Sequence, residues 1–247
     1  MGMEISNSLV QVGELNCRIV DCLGDHTPKL LAFLCHGFGA TGSDLVGIGE
    51  SLLQALPPLQ DNVRFIFPEA PLSLDDMGMF GSRAWWMIDM AALDRATRTG
   101  EFREFENDRP DGIDAAHDQL RVVIDSFLKE YHMNYEQLVL GGFSQGAMIS
   151  TEATLQLPSN PAALAILSGT LLDQDNWKNL MKQRKGLKVM QSHGQQDPVL
   201  PYSLAEKLRD LMTNEDLDVD FTAFMGGHEI PNPAMNAYAQ LLLSLLK

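Results

Sequence analysis

Short apolar runs that end in glycine or proline alternate along the chain with longer amphipathic segments. The short runs predict strands at residues 30–35, 63–67, 137–140, 163–167, 187–191 and 219–225. The longer segments predict helices at residues 44–55, 113–130, 145–157, 203–213 and 234–246. A further run at residues 15–22 is interpreted as an antiparallel edge strand. Because strands and helices alternate, we expect an α/β fold with a mostly parallel central sheet.

One long segment, residues 72–111, does not follow this alternation. Such a stretch inside a domain is usually functional or disordered, and we expect a lid or pocket wall at the end of the sheet. A solvated insertion is the equal alternative for its charged half, residues 95–109. The other half favours a pocket, because its methionine and aromatic side chains need apolar neighbours. Its candidate substrate-binding residues are Met79, Phe80, Trp85, Trp86 and Met87.

The charge balance excludes one class of partner. The chain has 247 residues with 33 acidic and 18 basic side chains, a net charge of −15, which disfavours nucleic-acid binding. Its hydrophobic fraction of 45% predicts a true core, and its length is compatible with one domain over residues 1–247. The longest stretch without charge, residues 153–172, is interrupted by two prolines, so we expect no stable membrane insertion. No signal peptide is evident in the sequence.

The cysteine pattern favours simple buried thiols. Cys17, Cys22 and Cys35 are odd in number and confined to the start of the chain. They form neither a disulfide framework nor the paired spacing of a zinc site. We therefore expect reduced thiols in a cytoplasmic protein that holds no metal.

The strongest chemical signal is a serine between a predicted strand and a predicted helix. The sequence around it reads Gly142-Phe143-Ser144-Gln145-Gly146. A serine on such a tight turn is held in a strained conformation with its hydroxyl exposed, and small neighbours let the turn close. Ser144 is therefore the predicted nucleophile.

A serine hydroxyl needs a histidine base and a carboxylate to orient that base. His228 lies between the last predicted strand and the last helix, where α/β proteins build their sites. Asp197 follows the preceding strand, with Asp173 and Asp175 as weaker rivals. Because the base must be neutral, activity should decline as the pH falls towards about 6.5. The other histidines are interpreted as structural or surface residues: His26, His36, His117, His132 and His193.

The attack of serine on a carbonyl also requires donors for the oxyanion. One is predicted to be the backbone N–H of Gln145, the residue after the nucleophile. The other is expected from the glycine-rich loop after the first parallel strand, with Phe38 nominated and Gly37 or Gly39 as alternatives.

The sequence resembles the phospholipase/carboxylesterase family of α/β-hydrolases, which includes acyl-protein thioesterases, lysophospholipases and bacterial carboxylesterases. The matching segments are residues 36–42, residues 142–147, His193-Gly194 with Asp197-Pro198, and Gly227-His228. The resemblance implies an α/β-hydrolase fold with helices on both faces of the sheet. It also implies hydrolysis of esters or thioesters without a cofactor. The implied triad is Ser144, Asp197 and His228, and the implied oxyanion donors are Phe38 and Gln145.

The sequence departs from the family pattern in two places. Phe38 and Ala40 stand where the first loop of the family usually has Leu and Asp, so we expect an acyl pocket of different shape. The usual Trp-aromatic-Asp motif appears here as the run Trp85-Trp86-Met87-Ile88-Asp89, followed by the long charged segment.

These observations predict a serine carboxylesterase for neutral short- to medium-chain acyl esters. The apolar candidate wall and the negative charge favour such small ester or thioester substrates. Acyl-protein thioesterase or lysophospholipase activity is the alternative within the enzyme class. A hydrolase-fold protein that binds an acyl ligand or a protein without turnover is the alternative of another class. A methionine-rich or aromatic surface is also compatible with a homodimer.

Overall fold

The strands in the middle of the sheet are apolar on both faces because helices cover both sides. The computed structural model describes residues 4–24, 26–89, 91, 95, 98 and 107–247. Its strands are β1 (Ser6–Val12), β2 (Leu15–Asp21), β3 (Leu30–Phe33), β4 (Val63–Pro68), β5 (Leu72–Ser73), β6 (Arg83–Ala84), β7 (Leu138–Phe143), β8 (Ala163–Leu167), β9 (Lys188–Gly194) and β10 (Asp218–Phe224). All residues of β3 and β8 are buried, as expected for parallel strands covered on both faces.

Eight of these strands form the main sheet, in the order β1-β2-β4-β3-β7-β8-β9-β10. β1 pairs with β2 and β2 pairs with β4 in antiparallel fashion, whereas the remaining neighbours are parallel. The carboxyl ends of the parallel strands therefore lie along one edge. The predicted mostly parallel α/β fold is confirmed.

Helices pack on the two faces of this sheet. They are α1 (Val46–Ala55), α2 (Pro57–Gln60), α3 (Ile113–Glu130), α4 (Gln145–Gln156), α5 (Gln174–Met181), α6 (Tyr202–Asn214) and α7 (Asn232–Leu245). Side chains of β7 alternate between two cores: Leu138 and Leu140 pack with α3, α4 and α5, and Val139 packs with α1 and α7. Among the described residues, no helix is long and apolar enough to cross a membrane.

The sequence-based predictions need correction at four elements, β1, β2, α2 and α5. The run at residues 15–22 is antiparallel, but it is not the edge, because β1 covers it through a hairpin that turns at Gly13 with φ 59°. β1 was not predicted because most of its side chains are exposed and polar. The short helices α2 and α5 were also missed. Trp177 and Met181 are the only buried side chains of α5, too few to give a periodic pattern.

The segment at residues 72–111 departs from the alternation of strands and helices, but its first part is not irregular throughout. β5 and β6 form a small antiparallel sheet, joined through a 3-10 turn at Asp75–Met77. Most of the charged run at residues 95–109 lies outside the described residues, so its role as a lid remains a prediction.

Candidate active site

The backbone of Ser144 adopts the strained turn that its sequence context predicts. It lies between β7 and α4 with φ 55° and ψ −121°, a conformation that residues other than glycine rarely adopt. The neighbouring residues must be glycines because the backbone of Cys35 approaches them closely. A side chain at Gly146 would overlap the carbonyl oxygen of Cys35, and a side chain at Gly142 would lie 2.5 Å from that same oxygen. The turn can close because both positions lack a Cβ atom.

Backbone hydrogen bonds to the two neighbouring strands hold the turn in place. The N–H of Ser144 donates to the carbonyl of Leu167 at 2.9 Å, at the end of β8. The N–H of Phe143 donates to the carbonyl of Cys35 at 3.0 Å, just after β3. Ser144 is therefore positioned by rigid strands at the carboxyl edge of the sheet.

Asp197 and His228 lie on neighbouring loops that the sheet brings together. Nδ1 of His228 lies 2.7 Å from Oδ2 of Asp197. The loops meet because β9 and β10 are parallel and end side by side, at Gly194 and Phe224. A side chain at Gly194 would overlap the carbonyl oxygen of Gly227, so this approach also depends on the absence of a Cβ atom.

The carboxylate of Asp197 accepts several hydrogen bonds. Oδ1 accepts the backbone N–H groups of Val199 at 2.8 Å and Leu200 at 2.9 Å. Oδ2 is shared by His228 and by Nε2 of His193, which lies 3.3 Å away. Burial by itself raises the pKa of this carboxyl group, but the hydrogen bonds from His193, His228 and Leu200 outweigh it and hold the pKa well below its usual range. Asp197 is therefore an anion at neutral pH.

The imidazole of His228 also packs on the residue before the nucleophile. Its ring centroid lies 4.7 Å from that of Phe143, with the ring planes inclined by 42°. The following residue, Glu229, accepts a hydrogen bond on its carbonyl oxygen from the hydroxyl of Ser168 at 3.3 Å. The structure thus brings His228 against the residue that precedes Ser144, while Nδ1 of the imidazole faces Asp197.

The glycine-rich loop lies directly against the nucleophile. A Cβ atom at Gly37 would lie 3.3 Å from the Cβ atom of Ser144, so the residue before Phe38 approaches the nucleophile closely. The loop is also paired with β6. The N–H of Gly39 donates to the carbonyl of Arg83, and the N–H of Arg83 donates to the carbonyl of Ala40, each at 2.9 Å.

His36 fixes the start of this loop. Its Nε2 accepts the backbone N–H of Ala70 at 3.0 Å, and its Nδ1 donates to the carbonyl of Gly37 at 2.9 Å. Burial lowers the pKa of this imidazole. His36 is therefore a buried hydrogen-bonding residue of the loop.

The five candidate substrate-binding residues fall into two groups. Trp85 and Trp86 are only 1% and 3% exposed and belong to the core. Met79, Phe80 and Met87 are exposed, and the Met79 methyl group lies beside the loop, 2.9 Å from where a Cβ atom of Gly39 would be. The burial of the tryptophans was not expected from the sequence, because the irregular segment that carries them shows no periodic pattern.

The rival acids Asp173 and Asp175 lie at the start of α5. Asp173 accepts hydrogen bonds from Arg109 at 2.8 Å and from Asn176 at 3.0 Å, and Asp175 lies in the first turn of α5. Arg109 also donates to Glu152, a fully buried carboxylate on α4. Sequence reasoning missed Glu152, because its partner lies 43 residues away along the chain.

The cysteines show no sign of nucleophilic chemistry. Cys17, Cys22 and Cys35 are free and buried, and burial raises the pKa of Cys17 and Cys35 to about 12. These thiols are protonated at neutral pH. Within the described part of the chain, no group of three or more His, Cys, Asp or Glu side chains could hold a metal ion.

Comparison with known proteins identifies the family. A family model described as Phospholipase/Carboxylesterase matches residues 15–245. The chain belongs to the phospholipase/carboxylesterase family. Both the resemblance seen in the sequence and the prediction of a serine hydrolase are thereby confirmed.

Relatives and solved structures agree with this assignment. Acyl-protein thioesterase 1 of Mycosarcoma maydis is 30% identical over 209 residues, which cover 80% of this chain and 82% of that protein. The crystal structure of esterase PE8 matches with a TM-score of 0.74 and 22% identity, covering 98% of this chain and 99% of the other. Acyl-protein thioesterase 2 of Zea mays matches with a TM-score of 0.64 and 21% identity, covering 98% and 99%. The two structural likenesses establish the α/β-hydrolase fold.

Proposed function

We propose that this chain hydrolyses neutral carboxylic esters of short to medium acyl length through a covalent acyl-serine intermediate. The observation that carries the proposal is the 2.7 Å contact between His228 and Asp197 beside the strained turn at Ser144. Ser144 is the nucleophile, His228 the general base and Asp197 the residue that orients the base.

The hydrogen bond between His228 and Asp197 determines where the protons move. Since an ionised carboxylate only accepts, Nδ1 of His228 carries the proton, and its Nε2 has the lone pair that can take the proton of the Ser144 hydroxyl. The Oγ–C bond forms, and the proton returns from Nε2 to the leaving alcohol as the ester C–O bond breaks. Water then attacks the acyl-serine with the same base and releases the acid.

The backbone N–H groups of Phe38 and Gln145 are the proposed oxyanion donors. Gln145 is the first residue of α4, where the N–H groups of a helix have no partner within the helix. Phe38 belongs to the loop that touches Ser144 through Gly37. Losing one such donor typically lowers kcat by about 10²- to 10³-fold.

Substrate preference is inferred from the surface beside this loop. Met79, Phe80 and Met87 expose apolar side chains on the segment that pairs with the loop, and they form the proposed wall of the acyl site. The net charge of −15 gives no reason to expect an anionic acyl group.

Acyl-protein thioesterase activity is the second candidate, because the relative that is 30% identical carries that name. It uses the same residues, with a thiol in place of an alcohol as the leaving group.

The test is hydrolysis of p-nitrophenyl esters from acetate to palmitate by wild type and Ser144→Ala. We expect turnover by the wild type and a fall of about 10⁶-fold in kcat for the variant. Ser126→Ala, which removes a partly exposed serine on α3, is the matched control and should retain full activity. Saturable binding without turnover across the series would support a non-catalytic protein instead.

Rates on lysophosphatidylcholine and on an S-acylated peptide, measured beside the ester series, separate the candidates within the enzyme class. A clear lead for short esters supports the first proposal. Faster turnover of either of the other two would overturn the ester preference while leaving the triad assignment intact.

A further inference from the structure

The side chain of Gln145 holds the backbone of the two buried tryptophans. Its Oε1 accepts the backbone N–H of Trp85 at 2.9 Å, and its Nε2 donates to the carbonyl of Trp86 at 2.8 Å. Gln145 itself is 1% exposed. Both the oxygen and the nitrogen of a buried side-chain amide thus hold the backbone of the segment at residues 72–111.

Trp85 also contacts the glycine-rich loop. Its indole Nε1 donates to the carbonyl of His36 at 2.9 Å, and its ring faces the His36 imidazole with centroids 6.0 Å apart. Two residues earlier, Arg83 exchanges backbone hydrogen bonds with Gly39 and Ala40. The stretch from Arg83 to Trp85 therefore holds the loop on both sides of Gly37 and Phe38.

We propose that Trp85 is a positioning residue that fixes the two oxyanion donors of Ser144 relative to each other. One donor is the N–H of Gln145, whose side chain holds Trp85. The other is the N–H of Phe38, on the loop that the indole of Trp85 fastens. This inference rests on the proposed function of the Ser144 site, and it gives Trp85 a role different from contact with the substrate.

The role calls for an indole, not just an apolar ring. A phenylalanine would occupy much of the same buried space, but it would leave the carbonyl of His36 without its donor. A buried carbonyl that loses its partner favours rearrangement of its segment. Since an oxyanion forms only in the transition state, a displaced loop lowers kcat while substrate binding is largely kept.

The central experiment compares ester hydrolysis by wild type and Trp85→Phe. We expect kcat to fall by about 10- to 100-fold, part of the effect of losing a whole donor, with KM changed by less than about twofold. The affinity for phenylboronic acid should fall by a similar factor, because its adduct with a serine hydroxyl mimics the tetrahedral intermediate.

Trp177→Phe is the matched control. It also removes a buried indole N–H, the one that donates to Glu152, at a site separate from the loop. We expect this variant to keep the kcat of the wild type and its affinity for phenylboronic acid.

Gln145→Met provides an independent variant. It retains the backbone N–H of Gln145 but releases Trp85 and Trp86, so it should show the same loss of kcat at nearly constant KM. Because both side chains act on one loop, the double variant should be less impaired than the product of the two single effects. If thermal unfolding shows that Trp85→Phe does not fold, the kinetics of Gln145→Met decide the question.

Two outcomes would overturn the proposal. A raised KM at unchanged kcat for a folded Trp85→Phe would identify the ring as a substrate contact, and kinetics equal to those of the wild type would show that the indole bond is not needed. Absence of turnover in the wild type is a different result, since it would refute the proposed function itself.

Discussion

Nε2 of His193 lies 3.3 Å from Oδ2 of Asp197, the oxygen that also faces His228. The same Nε2 is 2.8 Å from the carbonyl of Leu200, whose N–H donates to Oδ1 of Asp197. Because a carbonyl only accepts, Nε2 of His193 carries the proton. His193 thus closes the turn that presents the proposed catalytic acid to the proposed base.

We predict that His193→Met lowers kcat/KM by about tenfold, the equivalent of roughly one hydrogen bond to a charged group. Without this donor the pKa of Asp197 rises and its carboxylate becomes a stronger acceptor for His228. The acidic limb of the pH profile of kcat/KM should therefore move to higher pH. Measurement of that profile for wild type and variant checks the prediction.

His193→Gln should largely restore the profile, because a glutamine amide can place a donor near the position of Nε2. His117→Met is the control, since it removes another buried imidazole that lies beside a carboxylate, that of Asp118 on α3. An equal change in all three variants would show that the contact with Asp197 is not special.

The close approach at Gly146 predicts a severe steric effect. In Gly146→Ala the new methyl group would overlap the backbone of Cys35 and His36, which cannot move without shifting the loop. We expect a loss of about 3 kcal/mol or more in the free energy of unfolding, together with loss of esterase activity. Urea unfolding of the variant measures the first of these effects.

Gly47→Ala on α1 is the matched control, because a Cβ atom there would meet nothing within 4 Å. Its free energy of unfolding should stay within about 0.5 kcal/mol of the wild type. A Gly146→Ala protein as stable and active as this control would refute the requirement for glycine.

Local sequence context was enough to predict the main candidates of the site. Ser144, Asp197 and His228 each follow a parallel strand, and the carboxyl ends of parallel strands meet at one edge of a sheet. The family resemblance implies the same three residues as the triad. These residues could be found from the sequence because their positions depend on elements next to them in the chain.

Other features depend on contacts between distant segments and have no local signal. The amide of Gln145 meets Trp85 across 60 residues, and Glu152 meets Arg109 across 43. Nothing in the pattern around Trp85 indicates that it is buried. A polar edge strand such as β1 is also invisible to hydrophobic periodicity, because its stability comes from the backbone ladder with β2.

Arg109 and Glu152 form an ion pair that joins the end of the segment at residues 72–111 to α4. The carboxylate of Glu152 is fully buried, and Arg109 donates to it at 2.7 Å. The hydrogen bonds that Arg109 donates to carboxylates, first of all to that of Asp114, raise the pKa of Arg109. We predict that Arg109→Met reduces the free energy of unfolding by about 3 kcal/mol, because it leaves Glu152 buried without its cation. Urea unfolding at neutral pH measures this loss.

The double variant Arg109→Met with Glu152→Gln provides the control for that interpretation. Replacing the unpaired carboxylate of Glu152 with a neutral amide should restore part of the lost stability. If the double variant is no more stable than Arg109→Met alone, the loss comes from packing and the ion pair is not its cause.

The buried thiols predict a loss of stability in alkaline solution. Burial is the main cause that raises the pKa of Cys17 and Cys35 to about 12 in the folded chain, whereas a thiol in the unfolded chain has a pKa of about 8.5. Above about pH 8.5 the unfolded state therefore releases protons that the folded state retains. The free energy of unfolding should fall by at most about 1.4 kcal/mol per pH unit for each thiol, up to the folded pKa.

Urea unfolding of wild type and the double variant Cys17→Ala with Cys35→Ala, at a series of pH values from neutral to alkaline, measures this slope. The variant loses packing at every pH, so its stability starts lower but should decline less steeply. Parallel slopes would show that the two thiols ionise alike in the folded and unfolded states. Because both side chains are 0% exposed, a thiol reagent should also label them only after urea unfolds the chain.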